Sequence, residues 1–220
     1  MADVLIIGAS GGIGSALARS YRDKGGNVHT LSRRDDGLDI TNQDSVAQSL
    51  DGLGAFDRVI IATGALEISG ATPEKSIKSL SANAMADQFA LNAIGPALVL
   101  SHAHRLLARD RPSVCAILSA RVGSIEDNRL GGWISYRAAK AALNQIVRTS
   151  AIELHRSHKQ AAIIALHPGT VATRFTEKYV GRHPAVSPEV AAQNMTRVLD
   201  NLEPADTGRF LDFAGKDIAW

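Results

Sequence analysis

Short, uninterrupted apolar runs alternate with longer segments of helical periodicity along the whole chain. The runs that we interpret as strands are Val4–Ile7, Val28–Leu31, Val59–Ala62, Val114–Ser119, Ala162–His167 and the weaker Arg209–Phe213. The helical segments are Gly12–Lys24, Gln43–Leu50, Ser76–Leu91, Pro96–Ala108, Ser135–His155 and Pro188–Leu202. Strands that are apolar at every position are buried on both faces, which is typical of a parallel sheet covered by helices. The sequence therefore predicts one α/β domain over residues 1–220, a doubly wound parallel sheet in three α/β/α layers, with ligands at the carboxyl ends of the strands.

The composition gives no support for a polyanionic partner. Hydrophobic residues make up 45% of the chain, and 24 basic residues nearly balance 22 acidic ones, leaving a formal net charge of +2. So small a charge does not favour nucleic acid or an anionic membrane as a partner. The first apolar run is too short for a signal sequence or a membrane span. The single cysteine, Cys115, lies in an apolar run, where we expect a small core residue. We therefore predict a cytoplasmic protein.

A glycine-rich turn joins the first strand to the first helix. The segment Gly8-Ala9-Ser10-Gly11-Gly12-Ile13-Gly14 has the spacing G-x-x-x-G-x-G. Gly8 permits a tight exit from the strand, Gly12 lets the backbone approach a pyrophosphate, and Gly14 lets the helix pack closely on the strand. N–H groups at the start of the helix then face the anion. A plain loop could contain the same glycines, but this position in the chain predicts a dinucleotide site in a Rossmann-type fold.

The end of the second strand bears on the choice between NAD and NADP. NAD-binding folds usually place an acidic residue there, on the ribose 2′-hydroxyl, whereas this chain has Ser32-Arg33-Arg34. A hydroxyl and two guanidinium groups suit a 2′-phosphate, because arginine makes forked, charge-assisted hydrogen bonds. The acidic pair Asp35-Asp36 follows and could neutralise this turn, which keeps NAD as an alternative. In the next pair, Asp39-Ile40, the carboxylate could accept a hydrogen bond from the adenine amino group or cap the helix that starts near Asn42.

Tyr136 and Lys140 stand four residues apart at the start of the longest helical segment, so they lie on one helix face. A phenol with a pKa near 10 is a poor base at pH 7. An ammonium about 5 Å away, at an effective dielectric constant near 20, is worth roughly 3 kcal/mol and could lower that pKa by about two units. The pair can then donate a proton to a carbonyl or accept one from an alcohol.

These motifs together resemble the short-chain dehydrogenase/reductase family. The glycine turn, Asn92 within Leu91–Pro96, the pair Tyr136 and Lys140, and the segment His167–Thr173 occur in that family's order and at roughly its spacing, over essentially the whole chain. The chain is similar more narrowly to the C-factor-like carbonyl reductase branch in Arg121–Ile125, Gly131–Trp133, Tyr136-Arg137 and the short ending Asp212–Trp220.

The resemblance implies a role for each matched position. Tyr136 would be the acid/base, Lys140 would lower its pKa and hold the nicotinamide ribose, and Asn92 would bind a water that links Lys140 to solvent. An amide at a helix kink is the alternative for Asn92, and we expect His167 to serve packing. The expected cofactor-binding residues are Gly8, Ser10, Gly12, Ile13, Gly14, Ser32, Arg33, Arg34, Asp39, Ile40, Ala62, Thr63, Gly64, Tyr136, Lys140, Pro168, Gly169, Val171 and Thr173. We expect no metal.

The chain departs from the family pattern at three places. Ile7 stands where most members have threonine, and Ala62-Thr63-Gly64 replaces the usual Asn-Asn-Ala-Gly of the adenine pocket. Most seriously, Ala120 falls where the family's catalytic serine polarises the substrate carbonyl. Losing such a donor costs about 3–4 kcal/mol of transition-state stabilisation. Ser119 or Ser124 could substitute, and we favour Ser124 because it lies in the following loop, whereas Ser119 would have to turn toward the pocket.

The leading hypothesis is an NADP-dependent oxidoreductase that transfers a hydride between nicotinamide and a small carbonyl or alcohol, as a homodimer or homotetramer. We expect a substrate lid over residues 174–187, because a polar segment after Thr173 can cover the nicotinamide. The alternative is a low-turnover nucleotide-binding sensor or signalling protein, which Ala120 favours and the trio Tyr136, Lys140 and Asn92 opposes. Epimerase or dehydratase chemistry on a nucleotide sugar is weaker still, because the chain has no large substrate domain.

Overall fold

Six parallel strands form one sheet in the computed structural model, which describes residues 1–173, 176–179 and 185–220. The strands are β1 (Asp3–Ile7), β2 (Asn27–Leu31), β3 (Arg58–Ile61), β4 (Ser113–Leu118), β5 (Ala161–His167) and β6 (Phe210–Asp212). Their order across the sheet is β2-β1-β3-β4-β5-β6. In register, Ile7 pairs with Leu31 on one side and with Ile61 on the other. The predicted strands are confirmed, with shifts of at most one residue at their ends.

Eight helices accompany these strands in the described part of the chain. They are α1 (Gly12–Asp23), α2 (Arg33–Asp36), α3 (Gln43–Leu50), α4 (Ala82–Phe89), α5 (Gly95–Leu100), α6 (Ala103–Leu106), α7 (Ile134–Leu154) and α8 (Pro188–Asp200). Side chains of α3, α5, α6 and α7 pack on one face of the sheet, and those of α1 and α8 pack on the other. This arrangement confirms the predicted doubly wound, three-layer α/β/α fold.

The chain reverses its direction across the sheet at β1. From β1 it crosses to β2 at one edge, and then returns to place β3 on the opposite side of β1. Open α/β sheets bind ligands at such a switch point, beyond the carboxyl ends of the strands. The glycine turn after β1 lies at this position. Cys115 lies in the middle of β4, is free and buried, and burial raises its pKa to about 12, as expected for an unreactive core residue.

Two predicted helices are divided in the structure. The segment Ser76–Leu91 contains a 3-10 turn (Ile77–Ser79) before α4, because Ser76 and Ser81 each accept a backbone N–H and so start separate helices. A π turn (Ala90–Ile94) links α4 to α5. The segment Pro96–Ala108 divides into α5 and α6, between which Ser101 Oγ donates to the carbonyl of Leu98 at 2.7 Å. Hydroxyl groups that compete for backbone partners interrupt the periodic pattern at these positions.

The predicted lid, residues 174–187, falls partly outside the described residues, which leave out 174, 175 and 180–184. Val186 pairs with Val171, and the N–H of Ala172 donates to the carbonyl of Val186 at 2.8 Å. Among the described residues, no helix combines the length and apolar character needed to cross a membrane.

Candidate active site

Tyr136 and Lys140 lie in the first two turns of α7, and both are buried. The Nζ of Lys140 lies 5.9 Å from the centre of the Tyr136 ring and donates a hydrogen bond to the carbonyl of Leu118 at 3.0 Å. Leu118 is the last residue of β4, so this bond fixes the ammonium at the carboxyl end of a central strand. A Cβ placed on Gly123 would lie 2.8 Å from the Lys140 Cβ, so the loop after β4 packs directly against the lysine.

Asn92 reaches the same place from the π turn. Its Nδ2 donates to the carbonyl of Ala65 at 2.9 Å, and its Oδ1 accepts the N–H of Ala65 at 3.2 Å. Between Asn92 and Lys140 stands Gly64, at φ 143°, where a Cβ would lie 2.8 Å from Asn92 Oδ1 and 3.5 Å from Lys140 Nζ. The structure therefore brings Asn92, Gly64 and Lys140 together. The bulge in the helix turns Asn92 inward, as π turns at functional sites do.

Gln88 is a further polar residue of this cluster that the sequence reading missed. It is buried, its Oε1 accepts from Asn92 Nδ2 at 2.7 Å, and its Nε2 donates to the carbonyl of Leu66 at 2.8 Å. Two side-chain amides thus bind the backbone that follows β3. The spacing of four residues between Gln88 and Asn92 places both on one helix face and is the signal that could have found the pair.

Burial dominates the pKa values of the pair. Desolvation raises the pKa of the Tyr136 phenol well above its ordinary value of 10 and lowers the pKa of Lys140 from 10.5 to about 7. The Lys140 ammonium does not lower the phenol pKa in the protein without cofactor, contrary to expectation, because both groups favour their neutral forms when removed from water. A phenol that keeps its proton suits the role of donor to a carbonyl.

Both serine candidates for the missing donor are buried and hydrogen-bonded. Ser119 Oγ donates to Asn144 Oδ1 at 2.6 Å, while Asn144 Nδ2 is buried without a partner in the described structure. Ser124 Oγ accepts the N–H of Asp127 at 3.0 Å and donates to the carbonyl of Trp220 at 3.4 Å. The proton of Ser119 is thus held by a short bond and that of Ser124 by a long one.

The glycine turn has the close approaches that its spacing predicts. Gly8 has φ 90°, and a Cβ there would lie 2.8 Å from the carbonyl oxygen of Ala62. A Cβ on Gly14 would collide with the carbonyl of Gly8, so helix and strand pack as expected. Gly12 instead meets a side chain, because its Cβ would lie 2.8 Å from Thr173 Cγ2. The turn after β1 and the loop after β5 therefore touch. Helix α1 has no side-chain cap, which leaves its first N–H groups available, and Ser10 and Ile13 beside it are half-buried.

The basic turn after β2 forms the short helix α2, which the sequence reading did not predict. Ser32 caps it, and its hydroxyl contacts Asp35 and Asp36 at 3.1 and 3.3 Å. Arg34 forms an exposed ion pair with Asp35 at 2.9 Å. The side chain of Arg33 makes no hydrogen bond or ion pair with any residue that the structure describes. Of the two arginines, therefore, Asp35 neutralises Arg34 and leaves Arg33 available.

Asp39 and Ile40 serve the local fold. Asp39 Oδ1 accepts the N–H of Thr41 at 3.0 Å and its hydroxyl at 2.7 Å, and these bonds hold the pKa of Asp39 below its usual range. The cap of α3 is Asn42, not Asp39, because Asn42 Oδ1 accepts the N–H of Ser45 at 3.0 Å. Ile40 is buried, and a Cβ on Gly95 would lie 2.8 Å from its Cδ1.

The loops after β3 and β5 supply the other expected cofactor residues. Thr63 Oγ1 is buried and has no hydrogen-bond partner within the described ranges. After β5, Pro168 leads into Gly169, at φ 80°, where a Cβ would lie 2.9 Å from the Phe213 ring, and Val171 is buried. Burial lowers the pKa of His167 to about 4, so its ring is neutral, as a packing role requires.

A buried carboxylate anchors the start of α7, and the sequence reading missed it. Glu74 Oε2 accepts the N–H of Ser135 at 3.2 Å, and Glu74 Oε1 accepts the Ser135 hydroxyl. These bonds hold the pKa of Glu74 below its usual range although burial opposes them. The helix has no side-chain cap of its own. No local pattern could have identified this contact, because 61 positions separate the two residues.

Known proteins are similar to this chain along its length. Residues 37–213 match the family model described as enoyl-(acyl carrier protein) reductase. The chain is 30% identical to 1-hydroxy-2-glutathionyl-2-methyl-3-butene dehydrogenase of Rhodococcus sp. (strain AD45), with 100% of both chains covered. It is 35% identical to C-signal of Myxococcus xanthus over 62% of this chain and 78% of that protein. A short-chain dehydrogenase/reductase from Burkholderia multivorans, solved with bound NADP, superimposes with a TM-score of 0.80 at 26% identity and covers 99% of both chains.

Proposed function

The chain belongs to the short-chain dehydrogenase/reductase family of oxidoreductases, and we propose that it transfers a hydride between NADP(H) and a small carbonyl or alcohol. The observation that carries this proposal is that the buried side chains of Asn92 and Lys140 meet at Gly64, while Lys140 Nζ lies 5.9 Å from the centre of the buried Tyr136 ring. A site that only bound nucleotide would not need a phenol and an ammonium buried together at the carboxyl ends of β3 and β4. The arrangement supports proton transfer to or from a substrate oxygen.

Each of these residues has a definite task in the proposed reaction. The Tyr136 phenol donates its proton to the carbonyl oxygen during reduction and accepts it from the alcohol during oxidation. Lys140 is held by the carbonyl of Leu118. When its amine is protonated, Lys140 supplies positive charge beside the phenol. Asn92 and Gln88 hold the backbone after β3 in place by hydrogen bonds. This backbone forms the wall of the site that faces Lys140.

The residues present fit NADP. Helix α1 has no side-chain cap after the glycine turn, so its first N–H groups could bind a pyrophosphate. The buried hydroxyl of Thr63 has no partner in the described structure, and the Arg33 side chain is available for a 2′-phosphate. NADPH would supply the hydride for reduction of the carbonyl, and NADP⁺ would accept it in oxidation of the alcohol. Ser32 and Arg34 would contribute less to phosphate binding than the sequence suggests, because Asp35 and Asp36 already engage them. The bound NADP in the Burkholderia relative supports the same assignment.

The similarity to C-signal supports placing the chain in the C-factor-like carbonyl reductase branch. We further propose a cytoplasmic location, a homodimer or homotetramer, and a substrate lid within residues 174–187. The sensor alternative predicts NADP binding with negligible turnover.

NADPH oxidation with a panel of aldehydes and ketones tests the proposal. We expect turnover by the native protein and a loss of at least a thousandfold in kcat for Tyr136→Phe, with little change in NADPH affinity. Tyr21→Phe is the matched control, because the Tyr21 hydroxyl is also buried but lies in α1, and burial raises its pKa too. If native protein and Tyr136→Phe bind NADPH equally and neither turns over any substrate, the sensor alternative replaces the enzyme.

A further inference from the structure

Three of the chain's few aromatic side chains form one row that ends at Tyr136. The chain has two tryptophans and three tyrosines. The ring of Trp133 lies between those of Tyr136 and Tyr179, with centroid distances of 6.4 and 5.5 Å and interplanar angles of 68° and 78°. Both contacts have the edge-to-face geometry that aromatic pairs favour. Such a concentration of rings beside the proposed acid/base requires an explanation.

The backbone at Trp133 is strained in a way that directs the indole into this row. Trp133 has φ 51° and ψ 42°, a left-handed conformation that bulky residues rarely adopt. Gly131 and Gly132, at φ 62° and 68°, lead the chain into it, and the carbonyl of Glu74 accepts the Trp133 N–H at 2.5 Å. Strain of this kind persists when the surroundings fix it, and it clusters at functional sites.

The far side of the indole is covered by a segment that is tied down separately. Tyr179 donates its hydroxyl to Glu67 Oε1 at 2.5 Å, and Lys178 Nζ lies 2.8 Å from Glu67 Oε2. Glu67 follows β3, and Trp133 precedes α7. The indole is therefore the place where the loops after β3, β4 and β5 meet, and it is itself half-buried.

The charged groups around the row are already engaged. Glu67 is paired with Lys178, and the Glu74 carboxylate accepts two hydrogen bonds from Ser135. The two cations beside the row also have backbone partners, since Lys140 donates to the carbonyl of Leu118 and Arg137 to those of Gly132 and Val122. Within the described residues, the row thus presents apolar ring surface next to Tyr136, and the charged groups beside it are already hydrogen-bonded. A flat, neutral group matches such a surface best.

We propose that Trp133 is a specificity-determining residue, and that the substrate is a neutral carbonyl compound with an aromatic ring on the reacting carbon. The carbonyl oxygen faces Tyr136 while the substrate ring lies against the indole. This inference rests on the proposed function, since it requires the carbonyl to be reduced at Tyr136.

The test compares benzaldehyde with cyclohexanecarboxaldehyde, which carries a saturated ring of similar size. We expect the native kcat/KM to favour benzaldehyde by at least tenfold, Trp133→Phe to keep most of that ratio, and Trp133→Leu to bring it close to one. NADPH affinity should stay within about twofold in each variant. Trp220→Phe, which changes the other tryptophan, is the control and should keep the native ratio.

A second measurement covers the case in which Trp133→Leu folds poorly or turnover is absent. Trp220→Phe leaves Trp133 as the only tryptophan, so its fluorescence reports binding at the row. Saturable quenching by benzyl alcohol, and none by cyclohexylmethanol at the same concentrations, is expected. An unchanged ratio in Trp133→Leu, a native ratio near one, or equal quenching by both alcohols overturns the inference. Turnover without a ring preference leaves the proposed function standing, whereas absence of all turnover counts against that function.

Discussion

Lys140 has a large energetic effect as a single residue, because its ammonium is buried and no carboxylate forms an ion pair with it within the described residues. Burial lowers its pKa from 10.5 to about 7, so the folded protein releases this proton near pH 7 while the unfolded chain keeps it to about pH 10.4. The unfolded state then binds more protons between these values, and stability rises with pH across this window. Below pH 7 the lysine is protonated in both states, and the whole cost of burying its ammonium then lowers the free energy of unfolding.

We therefore expect Lys140→Met to stabilise the cofactor-free protein, relative to native, more at pH 6 than at pH 9.5, although the variant is inactive. Urea unfolding at the two pH values measures the difference. Lys159→Met, at an exposed position, is the control and should show no such dependence on pH. Equal effects of Lys140→Met at both pH values would show that the buried ammonium keeps its ordinary pKa.

Arg33 is the residue on which the proposed cofactor preference depends. Its neighbour Arg34 is neutralised by Asp35, so Arg33→Asp should weaken NADP binding by at least tenfold and leave NAD binding almost unchanged. Arg34→Asp should have a smaller effect. Titration of both variants with both cofactors measures this. Equal affinity of the native protein for NADP and NAD would contradict the preference.

Ser124 is the proposed substitute for the serine absent at Ala120. Its proton is held only by a 3.4 Å bond to Trp220, whereas the proton of Ser119 is held at 2.6 Å by Asn144. Ser124→Ala should lower kcat by roughly one to three orders of magnitude at unchanged NADPH affinity, as expected for one lost donor. Ser119→Ala should do much less, and Ala120→Ser should raise kcat or leave it unchanged. The reverse pattern for the two serines would assign the role to Ser119.

At the scale of elements, Glu74 substitutes for the missing cap of α7. Its carboxylate binds the first turn of the helix, where the helix dipole favours negative charge. Glu74→Gln should lower the free energy of unfolding by about 1–2 kcal/mol and kcat severalfold, because Tyr136 lies in the turn that it holds. Urea unfolding and kcat measure the two effects. Glu153→Gln, near the other end of the same helix, is the control. It removes an equal charge and should not lower the free energy of unfolding. If Glu74→Gln lowers stability without changing kcat, the contact serves folding alone.

The elements that the sequence predicts well are those whose signal is local. Continuous apolar runs identify the strands, and the glycine spacing identifies the turn after β1, because both patterns act over a few residues. The division of the helices at Ser81 and Ser101 was not predicted, since a hydroxyl can either face solvent or take a backbone partner. Helix α2 was not predicted, because its four residues are all exposed and show no periodic pattern of apolar positions.

In the candidate site, too, the features with a local sequence signal could be predicted and the others could not. The sequence alone shows the spacing of Tyr136 and Lys140 and the position of Asn92. Their backbone partners Leu118 and Ala65 depend on where β3, β4 and the π turn meet, which only the tertiary structure decides. The pKa expectation was wrong for the protein alone because burial is a tertiary property and outweighs the neighbouring charge.

At the scale of the whole molecule, the surface suggests association with further copies. Ile94 of the π turn and Ile152 of α7 are large apolar side chains that are 50% and 54% exposed. We expect a dimer or tetramer by light scattering at micromolar concentration, and a shift toward monomer in Ile152→Glu. Ile77→Glu, equally apolar and 67% exposed on the 3-10 turn before α4, is the control. A monomeric native protein would contradict the expectation.

Helix α2 contributes no residue to either apolar core, since none of its four residues is buried. The two arginines that would distinguish one nucleotide from the other therefore lie on exposed chain that packs into neither core. Descendants of this sequence could exchange cofactors through point changes there, without compensating changes elsewhere. Nucleotide choice is thus among the properties that evolution can revise most freely in this protein, whereas the proton-transfer residues are bound into the helices and strands around them.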